Sequence, residues 1–226
     1  MTISKKINMK ILHISDTHGK HLNLKDLPNA DVIVHTGDIT EDCTEEEVKD
    51  FIEWFVSLPY EHKIFIAGNH DDCLYDANIE GLPDNVHYLC NDSVTIDGIK
   101  FYGVPMFLHD DLDGNFPELF GRIPEDTDVL LTHQPPLGIL DESDGINFGD
   151  YYLYKSVMNV RPKYHLFGHL HNTEKSYCTF RSVRFSNAGN SIKGRYGLLE
   201  IRPRYNRLIV PKIFSCFSRH LRNHPR

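Results

Sequence analysis

The chain has 226 residues, of which 40% are hydrophobic and 25% are charged. These values are typical of a globular protein with one well-buried core, and the length is short for two ordinary domains. No window of the sequence approaches the apolar length that a transmembrane helix needs, which excludes a membrane-spanning segment of that kind.

The formal net charge of −8 is distributed unevenly along the chain. After Glu200 there is no acid and there are seven Lys and Arg residues, so the preceding part carries −15 (−8 less +7). An acidic body disfavours binding to nucleic acid, because the phosphate backbone is bound by basic surfaces. We therefore expect no long nucleic acid among the partners.

The first residues and the cysteines indicate a reducing compartment. The basic segment 1–6 is not followed by an apolar signal core with a cleavage site, so we expect a cytoplasmic protein. The cysteines are odd in number and scattered, and no pair has C-x-x-C spacing, which argues against a disulfide framework and a zinc knuckle. We expect reduced thiols at Cys43, Cys73, Cys90, Cys178 and Cys216.

The first elements predict strands alternating with a helix. Short β-branched runs at 10–14, 31–35 and 63–67 are stopped by turn residues and are typical of buried strands. Between the second and third runs, Thr44 and Glu47 form a capping box that opens a helix, and Pro59 ends it. Strand, helix and strand in this order favour a largely parallel sheet with right-handed crossovers.

The rest of the chain predicts shorter elements. Strands are predicted at 86–89, 94–96 and 100–104, with a hairpin turn at Asp97-Gly98, and then at 128–131, 163–167, 177–180, 183–185 and 197–201. A helix is predicted over 151–160. We interpret 105–127 as one long loop and 134–149 as a second loop rich in Gly, Pro and Asp.

No internal repeat or linker divides the chain, so we predict one domain over 9–203, preceded by a short lead, 1–8, and followed by a basic tail, 204–226. In the tail, Pro211 is able to start a short amphipathic helix with basic residues opposite its apolar face. One interpretation is a helix that contacts a membrane surface or a partner. The other is a terminal helix docked on the domain or a frayed end.

Five polar clusters each follow the end of an apolar run. In an α/β sheet such positions lie at the edge that binds ligands. Each cluster alone has an ordinary explanation as a turn, a cap or a buried histidine. Five in succession, all with oxygen or imidazole donors, predict a metal site. The clusters are Asp16-Thr17-His18, Gly37-Asp38, Gly68-Asn69-His70-Asp71, Thr132-His133 and His169-Leu170-His171.

The ordered set D-x-H, G-D, G-N-H-D, a later lone His and G-H-x-H resembles that of the calcineurin-like metallophosphoesterases, over residues 9 to about 190. The segments 131–138, 161–163 and 187–189 look like the metallophosphoesterase-domain branch, which is akin to class III cyclic-nucleotide phosphodiesterases. The chain lacks the G-D-x-x-D-R-G and G-N-H-E patterns of the protein-phosphatase branch, which counts against a Ser/Thr protein phosphatase.

The resemblance implies an α/β fold, a four-layer α-β-β-α metallophosphoesterase sandwich with mixed sheets. It also implies two metal ions, and donors without thiolate suit Mn, Fe or Zn. The first ion would be held by Asp16, His18 and His171, the second by Asn69, His133 and His169, and Asp38 would bridge both.

The same resemblance implies a hydrolase that acts on phosphodiesters by in-line attack of a hydroxide bridging the two metals. His70 would be the catalytic residue, facing the phosphate or protonating the leaving group, and Asn69 and His70 would bind substrate. Asp71 either orients a metal ligand or is an ordinary acid at the start of a helix.

Three further histidines have lesser roles. His13 and His35 lie within apolar strands, and we expect them to be hydrogen-bonded groups of the core or of the layer behind the ligands. His109 either touches substrate or is merely exposed. Substrate choice would depend on the loops 105–127 and 134–149.

Two alternatives stay open. The same fold can serve as a metal-poor scaffold that binds other proteins, because a fold does not determine a function. The same chemistry can also act on phosphomonoesters or on nucleic acid, although the acidic body would repel a long polyanion. Cyclic or other small nucleotides remain the candidate substrates of the leading hypothesis.

Overall fold

The computed structural model of the protein describes residues 8–203. In chain order the strands are β1 (Met9–Ile14), β2 (Val32–Thr36), β3 (His62–Ile66), β4 (Val86–Tyr88), β5 (Asp92–Ile96), β6 (Ile99–Val104), β7 (Val129–Thr132), β8 (Glu142–Ser143), β9 (Ile146–Asn147), β10 (Tyr164–Phe167), β11 (Tyr177–Phe180), β12 (Val183–Asn187) and β13 (Gly197–Ile201). The helices are α1 (Glu45–Ser57), α2 (Leu108–Asp113), α3 (Phe116–Gly121) and α4 (Tyr151–Val160).

The strands form two mixed sheets. The first has the order β13-β1-β2-β3-β4, in which β1 to β4 run parallel and β13 is antiparallel at one edge. The second has the order β11-β12-β10-β7-β6-β5, with four parallel central strands and an antiparallel strand at each edge. The parallel centre of each sheet follows the prediction from the sequence.

Three apolar cores separate four layers. Val34 of β2, Phe101 of β6 and Leu166 of β10 belong to the core between the two sheets. A second core lies between the first sheet and α1, and a third lies between the second sheet and the helices α3 and α4. The predicted α-β-β-α sandwich is therefore confirmed.

Helix α1 illustrates how the local sequence positions a layer. The backbone N–H of Glu47 donates to the Thr44 hydroxyl, and the Glu47 carboxylate accepts from the Thr44 backbone, so the predicted capping box is present. Phe51 and Phe55 lie one turn apart on the buried face, and their rings stack with centroids 5.1 Å apart. The helix thus covers the outer face of the first sheet.

The prediction of one long loop over 105–127 is wrong, because this segment contains α2 and α3. Each has only six residues, too few to display a helical period in the sequence. Gly114, in the left-handed region with φ 70°, ends α2, and Pro117 lies in the first turn of α3. The rings of Phe116 and Phe120 stack with centroids 5.4 Å apart and enter the third core, which stabilises this short helix.

The second predicted loop, 134–149, also contains more structure than expected. Strands β8 and β9 form a two-stranded hairpin whose turn is Asp144-Gly145, both with positive φ. The predicted amphipathic helix beginning at Pro211 lies outside the described residues. Within 8–203, none of the helices is both long enough and apolar enough to cross a bilayer.

Candidate metal centre

The five polar clusters lie on loops that follow β1, β2, β3, β7 and β10, and both sheets contribute to one site. Backbone hydrogen bonds join these loops directly. The amides of Asp16 and His18 donate to the carbonyls of Gly37 and Asp38, each at 3.0 Å, and the amide of Gly168 donates to the carbonyl of His133 at 3.0 Å. Hydrogen bonds between their backbones therefore hold the loops in register, independently of their side chains.

Asp16, His18 and His171 form the first group of donors. The Nε2 atom of His171 lies 3.0 Å from Oδ1 of Asp16 and 3.4 Å from Nε2 of His18. One donor atom from each of the three residues falls within 4.8 Å of the others. This is the set that the family resemblance implies for the first ion.

Asn69, His133 and His169 form the second group. The Oδ1 atom of Asn69 lies 3.1 Å from Nε2 of His133 and 2.9 Å from Nδ1 of His169. Asp38 lies between the two groups, because its Oδ1 is 3.3 Å from His133 Nε2 and its Oδ2 is 3.7 Å from His18 Nε2. The structure thus brings together all seven residues that the sequence predicts as ligands.

His133 shows why a cation fits this arrangement. Its Nδ1–H donates to the carbonyl oxygen of Thr36 at 2.8 Å, so in the neutral ring Nε2 is an acceptor. That nitrogen faces two further acceptors, Oδ1 of Asn69 and Oδ1 of Asp38. Three converging acceptors require a positive charge, either a proton on the imidazole or a metal ion.

The carboxylates give the site a strong negative charge. Asp16 and Asp38 are only 2% and 3% exposed. Burial opposes ionisation, but the charge of His133 and its hydrogen bond outweigh it and hold the pKa of Asp38 below its usual range. Burial likewise opposes protonation of His133, yet the Asp38 carboxylate raises the pKa of His133 to about 9. Carboxylate, amide oxygen and imidazole are a donor set that suits divalent transition metals.

His70 approaches the same centre from the loop after β3. Its backbone N–H donates to Oδ1 of Asp38 at 3.0 Å, and its ring packs edge-on against His18 with centroids 4.7 Å apart. Its Nδ1–H donates to the carbonyl oxygen of Glu41 at 3.2 Å, which leaves Nε2 for another partner. His70 also places a ring nitrogen within 4.8 Å of donor atoms of His18 and Asp38.

The ligand loops carry an unusual backbone conformation. A non-glycine residue with positive φ is uncommon, and its cost is accepted where a site demands a particular side-chain direction. Four of the seven predicted ligands have such a φ, namely Asp16 (55°), His18 (44°), Asp38 (57°) and His169 (68°).

The family model of calcineurin-like phosphoesterases matches residues 9–173. The chain belongs to this family. It is 32% identical over 213 residues to the UPF0046 protein K07C11.7 of Caenorhabditis elegans, an alignment that covers 83% of this chain and 73% of that protein. It is 36% identical over 193 residues to the human metallophosphoesterase domain-containing protein 1, covering 70% of this chain and 59% of that protein. The predicted family and branch are confirmed.

A solved crystal structure with 14% sequence identity covers 87% of this chain and 99% of its own, with a TM-score of 0.63. At that identity the likeness concerns the fold alone. The alignment spans about three-fifths of the human relative's length, so the activity of that whole protein is not transferred to this chain. Membership in the family indicates a hydrolase that acts on phosphoesters.

Asp71 supports the candidate metal centre from behind. Its carboxylate is fully buried and accepts hydrogen bonds from the amides of Gly68, Ile39 and Thr40 at 2.8, 3.0 and 2.9 Å, and from the Thr40 hydroxyl at 2.9 Å. It precedes a 3₁₀ helix, Asp72–Leu74, without capping it through its side chain. Of the two readings from the sequence, the structure favours a residue that orients the loops carrying Asp38 and Asn69.

Buried histidines brace the strands that end at the site. The ring of His13 lies 3.0 Å from the Ser186 hydroxyl and 2.9 Å from the Thr36 hydroxyl, and His35 Nε2 lies 3.0 Å from the Thr17 hydroxyl. Both are fully buried, which confirms the expected core role. His165, which the sequence analysis did not single out, similarly contacts the Thr132 hydroxyl at 2.8 Å. His165 lies within the apolar run 163–167, the same kind of position that identified His13 and His35, so that signal could have found it.

His109 lies on α2 and is 57% exposed. Its Nδ1 is 2.8 Å from a carboxylate oxygen of Asp72, and its ring stacks on Tyr75 with centroids 4.6 Å apart. These contacts hold it at the surface of α2, and the structure groups it with Asp72 and Tyr75, not with the seven predicted ligands.

Proposed function

We propose that the protein is a dinuclear-metal phosphodiesterase that hydrolyses small phosphodiesters, with cyclic or other small nucleotides as substrates. The observation that carries this proposal is the position of Asp38. One of its oxygens faces His133 of the second donor group and the other faces His18 of the first. A carboxylate shared by two sets of donors supports two ions held side by side.

The donor groups define which residues would hold each ion. Asp16, His18 and His171 would hold the first, Asn69, His133 and His169 the second, and Asp38 both. When bound, such ions lower the pKa of water enough to provide hydroxide near neutral pH and neutralise phosphate charge. Burial lowers the pKa of His169 to about 4, so this ring is neutral and able to coordinate near neutral pH.

His70 has the geometry of a residue that faces the substrate. Its Nδ1–H is committed to the Glu41 carbonyl, so Nε2 is the atom that presents a proton or a lone pair to the site. A protonated Nε2 would stabilise charge on the phosphate or give its proton to the leaving alkoxide, a contribution of about 10²–10⁴ in rate. The adjacent Asn69 commits its Oδ1 to His133 and His169, which leaves its amide N–H groups for a phosphate oxygen.

Charge favours a small substrate over a polymer. The chain up to Glu200 carries a net charge of −15, and a long polyanion would be repelled by it, whereas a single phosphodiester reaches the metals without crossing much of that surface.

The test combines metal analysis with hydrolysis of chromogenic esters. We expect about two transition-metal ions per chain and manganese-dependent cleavage of bis-p-nitrophenyl phosphate that exceeds cleavage of p-nitrophenyl phosphate. Preference for the monoester would overturn the phosphodiesterase assignment while keeping the metal centre. Failure to take up metal, with no cleavage, would overturn the enzyme and favour a scaffold that binds other proteins.

A further inference from the structure

Cys43 and Cys73 are 30 residues apart in sequence and adjacent in the fold. The backbone N–H of Cys73 donates to the Cys43 sulfur at 2.8 Å, which brings the two side chains next to each other. Both side chains are partly exposed, and both are free thiols. Two thiols in contact on separate loops are the arrangement from which a disulfide forms without a large movement of the backbone.

The loops that the pair joins are those of the candidate metal centre. Cys43 follows the loop that carries Asp38, and Cys73 follows the segment Asn69-His70-Asp71. The buried Asp71 carboxylate already links the two loops through Ile39 and Thr40. A covalent bond between the sulfurs would therefore act on segments that are coupled to the predicted ligands.

A small oxidant has a path to this pair. Cys73 lines a groove of about 620 Å³ that runs between α1 and the segment 77–83. Ile52 and Val56 of α1 form one wall, and Leu82 belongs to the other. The groove opens Cys73 to solvent along this side of the first sheet. Cys43 does not line the groove, but its side chain is itself partly exposed, so a small oxidant reaches Cys43 without unfolding.

We propose that Cys43 and Cys73 form a redox-active pair that closes to a disulfide when a hydroperoxide reacts with it. The Cys43 thiolate attacks one peroxide oxygen, the O–O bond breaks, and hydroxide or an alkoxide leaves with the electron pair, giving a sulfenic acid. The leaving group takes up the proton that the Cys43 thiol released and becomes water or an alcohol. The sulfur of Cys73 then attacks the Cys43 sulfur, the S–O bond breaks, and the hydroxide leaves as water with the thiol proton. The two thiols lose two electrons, and the hydroperoxide gains them.

The order of the two steps follows from the contacts. The Cys73 N–H points at the Cys43 sulfur, and a donor in that position stabilises the negative charge of the attacking sulfur, so Cys43 is the residue that attacks the hydroperoxide. Burial, together with the Cys43 side chain, raises the pKa of Cys73 to about 12, which keeps Cys73 a thiol until the sulfenic acid is next to it. Cys73 is accordingly the resolving residue.

Closure should have two physical consequences. A disulfide between residues 43 and 73 constrains the unfolded chain and raises the thermal midpoint. It also draws the sulfurs to the short S–S bond length, which shifts the loops bearing Asp38 and His70. Misplacement of catalytic groups by about 1 Å can cost about 10²-fold in rate, so we expect the oxidised protein to turn over substrate at least about tenfold more slowly.

The experiment uses the full chain with Cys90→Ser, Cys178→Ser and Cys216→Ser, in which only the pair remains. After hydrogen peroxide, we expect a mass loss of about 2 Da, a cross-linked 43–73 peptide, a higher thermal midpoint and lower turnover, all reversed by dithiothreitol. The mass and the midpoint are measured on metal-free protein, so they stand even if the phosphodiesterase proposal fails. With Cys73→Ser, Cys43 is expected to stay as a sulfenic acid that dimedone labels.

Several outcomes would overturn the proposal. In the wild-type chain, oxidation that spares Cys43 and Cys73 while it consumes the exposed Cys90 would show that the pair is not reactive. A cross-linked pair without any change in turnover, in a protein that is active when reduced, would remove the regulatory consequence. In Cys43→Ser, dimedone labelling of Cys73 that exceeds the labelling of Cys43 in Cys73→Ser would overturn the assigned order.

Discussion

The Asp71 carboxylate lies 2.9 Å from the amide nitrogen of Thr40, although 31 residues separate them in sequence. This contact joins the loop after β2 to the loop after β3, and each loop supplies predicted metal ligands. Because burial and the nearby Asp38 charge raise the pKa of Asp71 to about 6, the hydrogen bonds from Gly68, Thr40 and Ile39 must work against both effects to keep it ionised. The candidate metal centre is therefore positioned by a carboxylate that is not itself among the predicted ligands.

We expect Asp71→Asn to destabilise the metal-free protein by about 2–4 kcal/mol. In the variant, the amide group turns an N–H toward the donors whose hydrogen bonds the wild-type carboxylate accepts. Affinity for metal should fall about 10–100-fold because the loops lose their common anchor. Urea denaturation and metal titration measure the two effects. The exposed Asp84→Asn is the control, and equal effects in both variants would contradict the role of Asp71.

The variant Gly68→Ala tests how closely the loop after β3 approaches the loops that carry Asp38 and His133. A Cβ atom at Gly68 would lie 2.3 Å from Oδ1 of Asp38 and 2.8 Å from Cε1 of His133. Gly68→Ala should therefore displace two predicted ligands and lower both the thermal midpoint and the metal content. At Gly121, on the exposed end of α3, an added Cβ meets nothing within 4 Å, so Gly121→Ala is expected to leave both quantities unchanged. Full metal content in Gly68→Ala would count against the site as described.

Much of the fold was predictable because its strands are short apolar runs bounded by turn residues. The helices α1 and α4 were also predictable, from a capping box and from a bounded apolar period. Helices α2 and α3 were not, because six-residue helices are stabilised by tertiary packing of Phe116 and Phe120 and by a glycine cap, and neither is visible as a period.

The candidate site, too, was predictable from the sequence only in part. Residues within short motifs, such as His169 and His171, were predictable because their spacing and order resemble a known family. The contact of Cys43 with Cys73 and that of His165 with Thr132 were not, since each depends on which loops and strands the fold places side by side. Pairing across 30 residues leaves no local signal in the chain.

The Asp38→Asn variant tests the shared carboxylate. Removing its charge should abolish binding of both ions, so metal analysis is expected to give nearly none per chain against about two for the wild type. In the metal-free protein the pKa of His133, about 9 in the presence of Asp38, should fall markedly, which NMR of the ring protons measures. The exposed Asp92→Asn is the control. Retention of one ion would restrict Asp38 to a single site.

Three buried histidines predict the acid sensitivity of the metal-free protein. Burial lowers the pKa of His13, His35 and His165 to about 3, below the value of about 6.5 in the unfolded chain. Their contribution to stability is complete above pH 6.5 and is lost as the pH falls toward 3, because only the unfolded chain takes up protons there. Each histidine should contribute a slope of about 1.4 kcal/mol per pH unit.

Asp71 acts in the opposite sense, since its raised pKa makes its contribution decline as the pH rises through about 6. The loss of stability that the three histidines cause on acidification is larger than the gain from one carboxyl group. Urea denaturation should therefore still show stability falling below pH 6.5. His165→Gln is expected to make that slope shallower by one proton. Identical slopes in wild type and His165→Gln would contradict a neutral, buried His165.

His70 provides the sharpest separation of catalysis from metal binding. In His70→Gln the proton that Nε2 presents to the phosphate is lost, so turnover of bis-p-nitrophenyl phosphate should fall about 10²–10⁴-fold. The metal content should stay at the wild-type level, because the six donors of the two groups and the shared Asp38 are intact. His109→Gln, which removes a histidine held by Asp72 on α2, is the matched control and should retain turnover. If His70→Gln instead loses metal, while the fraction that still holds metal turns over normally, then His70 is a metal ligand. Its position near donor atoms of His18 and Asp38 would agree with that role.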